Sequence, residues 1–148
     1  MELALACDMR VMAEDAVTGL LEARIGLLPD VGGCSRLPAV VGVGRAKELV
    51  MTGKVIDGHE AYRIGFANRI AAPDDLDDAT QALCDELLAC APLAVGLAKR
   101  IVDASARPAL ALTLEQEVAA QETLAASEDF AEGARAFFEK RDPHFAGR

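Results

Sequence analysis

The 148-residue chain is 52% apolar and 26% charged, which excludes a disordered protein and suits one domain with a sizeable core. Its net charge of −9 argues against broad electrostatic binding of nucleic-acid phosphates. No apolar run reaches the roughly 18–20 residues that cross a bilayer, so neither nucleic acid nor membrane is an expected partner.

The first residues, Met-Glu-Leu-Ala-Leu-Ala, lack the basic region of a signal peptide. Cys7, Cys34, Cys84 and Cys90 show no CxxC spacing, and the chain has two histidines. No metal site is expected, and reduced thiols in a cytoplasm are the default reading. About a fifth of the residues are Ala and 4% are aromatic, which points to closely packed helices.

The texture changes near residue 70. Before it, Met9 to Ala13 reads as a short strand, and residues 27–33 read as a loop of turn formers. Residues 34–41 and 44–52 read as two short helices split by Gly42 and ended near Gly53. Asp57-Gly58-His59-Glu60 fits a capping box, with Asp57 accepting from the first turn and Glu60 reaching back. The helix it starts should end at Gly65, a C′ glycine, with a strand over 66–70.

After residue 70 the pattern is helical. Leu76, Ala79, Leu83 and Leu87 share one spacing, and Leu93, Leu97 and Ile101 the same. Pro108 separates this second helix from a third, marked by Leu110, Leu114 and Val118. Ser127 is an expected N-cap for a fourth helix, with Glu128 and Asp129 in its first turn and Lys140 and Arg141 at its end. The division is residues 1–70, carrying the acid/base candidates, and 71–148, a helical region.

Glu2 and Glu22 lie among apolar neighbours. Such surroundings disfavour the charged form of a carboxylate and suit acid/base work. Asp30 sits in a Pro-Asp-Val-Gly-Gly loop just before a predicted helix. In isolation each has an ordinary reading: a helix glutamate, a turn aspartate, a basic end that answers the helix dipole. His59 and His144 read as surface residues, and Gly32 and Gly33 as the turn into a helix, since no phosphate-binding glycine pattern surrounds them.

The order of the segments adds to this. Glu2 to Arg10, Glu22 followed by Ile25-Gly26-Leu27-Leu28-Pro29, Gly32 to Pro38, Val41-Gly42, Glu48 to Gly53 and Ala61 to Asn68 occur in succession. Glu128 to Gly133, Phe137 to Arg141, Pro143 and Phe145 close the chain. Together they strongly resemble the enoyl-CoA hydratase/isomerase (crotonase) family over essentially the whole chain.

The resemblance implies an α/β, crotonase-like (ClpP/crotonase) spiral fold, truncated at the N-terminus, with a C-terminal α-helical region. It implies a coenzyme A thioester as substrate and no cofactor. Glu2 falls on the first and Glu22 on the second glutamate of the hydratase pair. One helps to activate a water and the other protonates the α-carbon of a trans-2-enoyl-CoA. The backbone N–H of Asp30 falls where the family contacts the catalytic water, and in some isomerase branches an aspartate here is itself the acid/base. Phe137 and Lys140 fall on positions that touch the CoA nucleotide. The resemblance further implies a homo-oligomer, trimer or hexamer, in the complete protein.

Three departures matter. Met1 stands where the family has the cysteine of a Gly-Gly-Gly-Cys segment, so the segments that supply both oxyanion-hole N–H groups are expected to be missing. Each such donor is worth roughly 3–4 kcal/mol, and the chain by itself is expected to show little activity. Leu20-Leu21 replaces a frequent Gln-Pro before Glu22, and Thr18 stands where Phe is common. The Met9–Ala13 strand is expected to lack its spiral partners and to leave an unpaired edge. An isomerase or related crotonase reaction, or a non-catalytic assembly module, is the alternative.

Overall fold

The computed structural model describes residues 1–148. The chain forms four short strands and eight helices, plus 3-10 turns at Glu22–Ile25 and Pro73–Asp75. In order they are α1 (Glu2–Ala6), β1 (Val11–Ala13), β2 (Val17–Gly19), α2 (Gly33–Val41), α3 (Val43–Thr52), β3 (Val55–Asp57), α4 (Gly58–Arg63) and β4 (Arg69–Ala71). The long helices α5 (Leu76–Leu88), α6 (Pro92–Ala106), α7 (Leu110–Ala125) and α8 (Glu128–Glu139) follow. No helix is long and apolar enough to cross a membrane.

The texture does change near residue 70, but the chain divides in space along other lines. One compact unit joins residues 1–6, 18–55 and 110–148; the other joins 7–17 and 56–109. Each therefore draws on both sides of residue 70.

The first unit packs around Leu5, Leu20, Leu37, Ala46, Leu49 and Ala136, all at most 3% exposed. Gly42 separates α2 from α3 as expected, and Gly53 ends α3 in the left-handed region at φ 58°. Ser127 caps α8 by accepting from the Phe130 N–H at 3.0 Å, a bond worth about 1 kcal/mol.

The second unit buries Ile56, Ala61, Phe66 and Ala67. Here β1 pairs parallel with β4, Val11 opposite Arg69 and Ala13 opposite Ala71. One edge of the β1 strand is thus filled from within the chain, by β4, while its other edge has no strand partner, as expected. Arg10 secures the same corner, donating to the Phe66 carbonyl and lying 5.5 Å from that ring's centroid. Asp57 caps α4 by accepting from the Glu60 N–H, and Gly65 follows the helix at φ 81°, as expected. The Glu60 carboxylate pairs with Arg63. Helix α6 turns Leu93, Leu97 and Ile101 outward, at 83%, 58% and 70% exposed. The periodicity locates the helix correctly, but its apolar stripe is not covered by this chain.

Candidate active site

The first turn of α2 organises the site, and glycine makes it possible. Gly32 adopts φ 98°, a left-handed conformation, and offers no side chain to cap the helix. The N–H groups of this turn therefore need acceptors from elsewhere.

Glu2 is one of them. It lies at the start of α1, which Leu5 anchors in the core at 1% exposed. Its Oε1 accepts from the Val31 N–H and the Gly33 N–H, both at 2.8 Å. These donors come from 29 and 31 residues away in sequence. Both bonds fall on Oε1, which leaves Oε2 without a protein donor.

Glu117 is the other acceptor, and sequence reasoning missed it. It is the one buried charged side chain, 4% exposed, on α7. Its Oε2 accepts from the Gly32 N–H at 2.7 Å and its Oε1 from the Ser35 N–H at 2.6 Å. One turn along α7, Gln121 accepts from the Leu28 N–H at 3.3 Å. A signal existed: Glu117 stands three residues after Leu114, on the stripe of α7 that faces inward. Val118, which marks the face by apolar spacing, is 54% exposed.

Glu22 opens the 3-10 turn Glu22–Ile25, which ends at Gly26 with φ 80°. Helix α8 presses on this turn. A Cβ at Gly133 would lie 2.6 Å from the Ile25 carbonyl oxygen, and one at Gly26 would lie 2.9 Å from the Phe130 nitrogen. The two glycines thus allow the contact that fixes Glu22. Its Oε2 is buried with no hydrogen-bond partner. The N–H of Asp30, next in line before the three engaged amides, likewise meets no acceptor in the chain.

Cys34 reports that the carboxylates share one neighbourhood. Burial, and then the charges of Glu117, Glu2 and Glu22, push its thiol up to about 11. The Ser35 hydroxyl is buried and unpartnered beside it. Cys34 and Ser35 line a cleft of about 300 Å³ with Leu28, Thr113, Gln116, Glu117 and Ala120. No group of three or more His, Cys, Asp or Glu is placed to hold a metal.

Phe137 and Lys140 lie elsewhere in the first unit, at the end of α8. Phe137 is 70% exposed and meets Phe138 edge to face at 5.9 Å. Lys140 ends the helix in the left-handed region at φ 54°. No hydrogen bond, ion pair or ring contact joins either residue to the carboxylate group.

A family model for enoyl-CoA hydratase/isomerase matches residues 1–148. The chain belongs to the enoyl-CoA hydratase/isomerase family. The human "Enoyl-CoA hydratase domain-containing protein 2, mitochondrial" is 42% identical over 152 residues, covering 100% of this chain and 52% of the relative. The crotonyl-CoA hydratase of Syntrophomonas wolfei is 35% identical, covering 99% of this chain and 56% of the relative. A crystal structure of an enoyl-CoA hydratase from Mycobacterium avium subsp. paratuberculosis superposes with a TM-score of 0.91 at 30% identity, over 98% of this chain and 59% of that one. A carnitinyl-CoA hydratase from Mycobacterium avium gives 0.88 at 32% identity, over 99% of this chain and 57% of that one. The chain has the crotonase fold over the matched part and spans about half the length of the curated relatives it matches.

Proposed function

We propose that this protein acts on acyl-CoA thioesters as an enoyl-CoA hydratase. It adds water in syn fashion to a trans-2-enoyl-CoA, with Glu2 and Glu22 as the acid/base pair. The observation that carries the reading is the buried, unpartnered Oε2 of Glu22 within a group of carboxylates that act together on Cys34. Leaving such an oxygen unpaired costs about 1–3 kcal/mol. A bound water or substrate atom removes that cost.

In this assignment a water lies between the free Oε2 of Glu2, the carboxyl of Glu22 and the Asp30 N–H. One glutamate takes a proton from the water as its oxygen bonds to the β-carbon. The double-bond electrons move toward the thioester carbonyl. The other glutamate delivers a proton to the α-carbon, so the net change is the addition of one water. No cofactor takes part, and coenzyme A enters as part of the substrate. Exposed Phe137 and Lys140 are assigned to the CoA nucleotide, where a lysine suits a phosphate as a mobile point charge.

The test is hydration of crotonyl-CoA, followed as loss of the enoyl thioester absorbance, by the protein as its gene encodes it. Glu22→Gln should lower turnover by orders of magnitude; unchanged turnover would remove Glu22 from the mechanism. Glu2→Gln separates the reactions of the family. A hydratase loses water addition, whereas an isomerase keeps shifting the double bond.

A second reading concerns assembly. The uncovered stripe of Leu93, Leu97 and Ile101 supports a homo-oligomer, for which the family resemblance implies a trimer or a hexamer. Light scattering on a sizing column tests it, and a monomer at all concentrations would remove it.

A further inference from the structure

Glu117 has no part in the proposed reaction, yet both of its oxygens are engaged. They take the Gly32 and Ser35 N–H groups, while Gln121 takes the Leu28 N–H one helical turn away. Helix α7 thus grips the segment 28–35 at three amides. The amides of Val31 and Gly33 flank the one at Gly32, and these two hold Glu2 Oε1. Along the turn, successive N–H groups point to Glu2, Glu117 and Glu2.

These directions are not independent. A peptide unit is planar, so each N–H is rigidly tied to the carbonyl of the residue before it. The planes meet at the Val31 and Gly32 α-carbons, so turning the Gly32 amide away from Glu117 changes Val31 ψ and Gly32 φ, two of the dihedrals that set how the Val31 and Gly33 N–H groups are aimed relative to it. The cap position cannot hold the turn by itself, because Gly32 has no side chain. The only carboxylate that reaches its N–H comes from 85 residues away.

We propose that Glu117 is a positioning residue for Glu2. By clamping the first turn of α2 it sets the direction of the Val31 and Gly33 N–H groups, and through them where the free Oε2 of Glu2 points. The catalytic meaning of this coupling rests on the reading of Glu2 as an acid/base group; the coupling itself is a property of the fold.

The experiment is amide NMR of the full chain as a function of pH, with hydration kinetics alongside. Glu2→Gln first identifies the Val31 and Gly33 amide protons as those bonded to Glu2. Glu117→Gln keeps the shape but turns one acceptor into a donor, and Glu117→Ala removes both. In each, the Val31 and Gly33 signals should move. Where hydration is measurable, kcat should fall about ten- to hundredfold with KM within about twofold, together with a displaced pH profile.

A purely local cap would disturb the Gly32 and Ser35 amides and leave the Val31 and Gly33 signals in place. That result overturns the proposal. Loss of the fold in both Glu117 variants, seen by circular dichroism, would make Glu117 a stability residue and also overturn it. Hydration unaffected by Glu2→Gln would instead sink the functional reading, while the amide spectra still decide the coupling.

Discussion

Gly33 donates its N–H to Glu2 Oε1 at 2.8 Å because it has no side chain. A Cβ at this position would lie 2.4 Å from the Pro29 Cβ and 3.0 Å from Glu2 Oε1 itself. The space that a side chain would fill is the space the carboxylate uses. This glycine therefore acts at a residue 31 positions away in sequence.

Gly33→Ala should accordingly disturb both the fold and the carboxylate. Pro29 is rigid and fully buried, so it cannot yield as a flexible side chain would. Overpacking of this kind costs about 1–3 kcal/mol. Urea unfolding should show that loss, and the Val31 amide should shift with it. A variant as stable as the parent would mean that the turn relaxes without strain.

Gly133→Ala tests the seat of Glu22. The substitution favours the helix by about 1 kcal/mol through propensity. Against this, the new Cβ meets the Ile25 backbone at 2.6 Å, and backbone cannot rotate away. The clash should win, with a net loss of about 1–3 kcal/mol in denaturant unfolding. A net gain would show that α8 can withdraw from the turn carrying Glu22.

The Cys34 thiol offers a chemical readout. Cys7, Cys84 and Cys90 are exposed, whereas Cys34 is half-buried and its thiol is pushed up to about 11. The thiolate is the reactive form, so at pH 8 Cys34 should alkylate about two orders of magnitude more slowly than a free cysteine in a model peptide. Peptide mapping after timed alkylation measures this. Glu117→Gln removes one of the charges that raise the thiol and should speed Cys34 selectively. A rate equal to that of the peptide cysteine would contradict the shared carboxylate neighbourhood.

The C-terminal tail should be held by charge down to low pH. Glu132 accepts from Arg141 through both oxygens and from the His144 N–H, and its carboxyl is lowered to about 2, chiefly by the Arg141 bonds. A depressed carboxyl contributes stability that is present above its unfolded value of 4.5 and lost as pH falls toward 2. Side-chain NMR should show Glu132 titrating near the lower end of that window. Glu132→Gln should free the tail to protease at neutral pH. Titration of Glu132 at an ordinary carboxylate value would show the tail to be unheld.

Much of this was legible in the amino-acid order because its causes are local. Asp57 and Ser127 each satisfy an amide three residues ahead, and Gly65 closes a helix with its own backbone. Helical spacing marked α5 to α8, and the sequence of motifs identified the family. The α1 helix at Glu2 was not legible. It spans five residues, too few for a periodic pattern, and it is held by the burial of Leu5.

The sequence by itself determined the helices, their caps, the family and the candidate glutamates, since each depends on residues a few positions apart or on motif order. Only the tertiary structure decided what the glutamates touch. Glu2 reaches Val31 and Gly33, and Glu117 reaches Gly32 and Ser35 across more than 80 residues. No local pattern encodes such pairs. They exist because glycine leaves the first turn of α2 without a cap of its own, and buried amides must find acceptors wherever the fold supplies them.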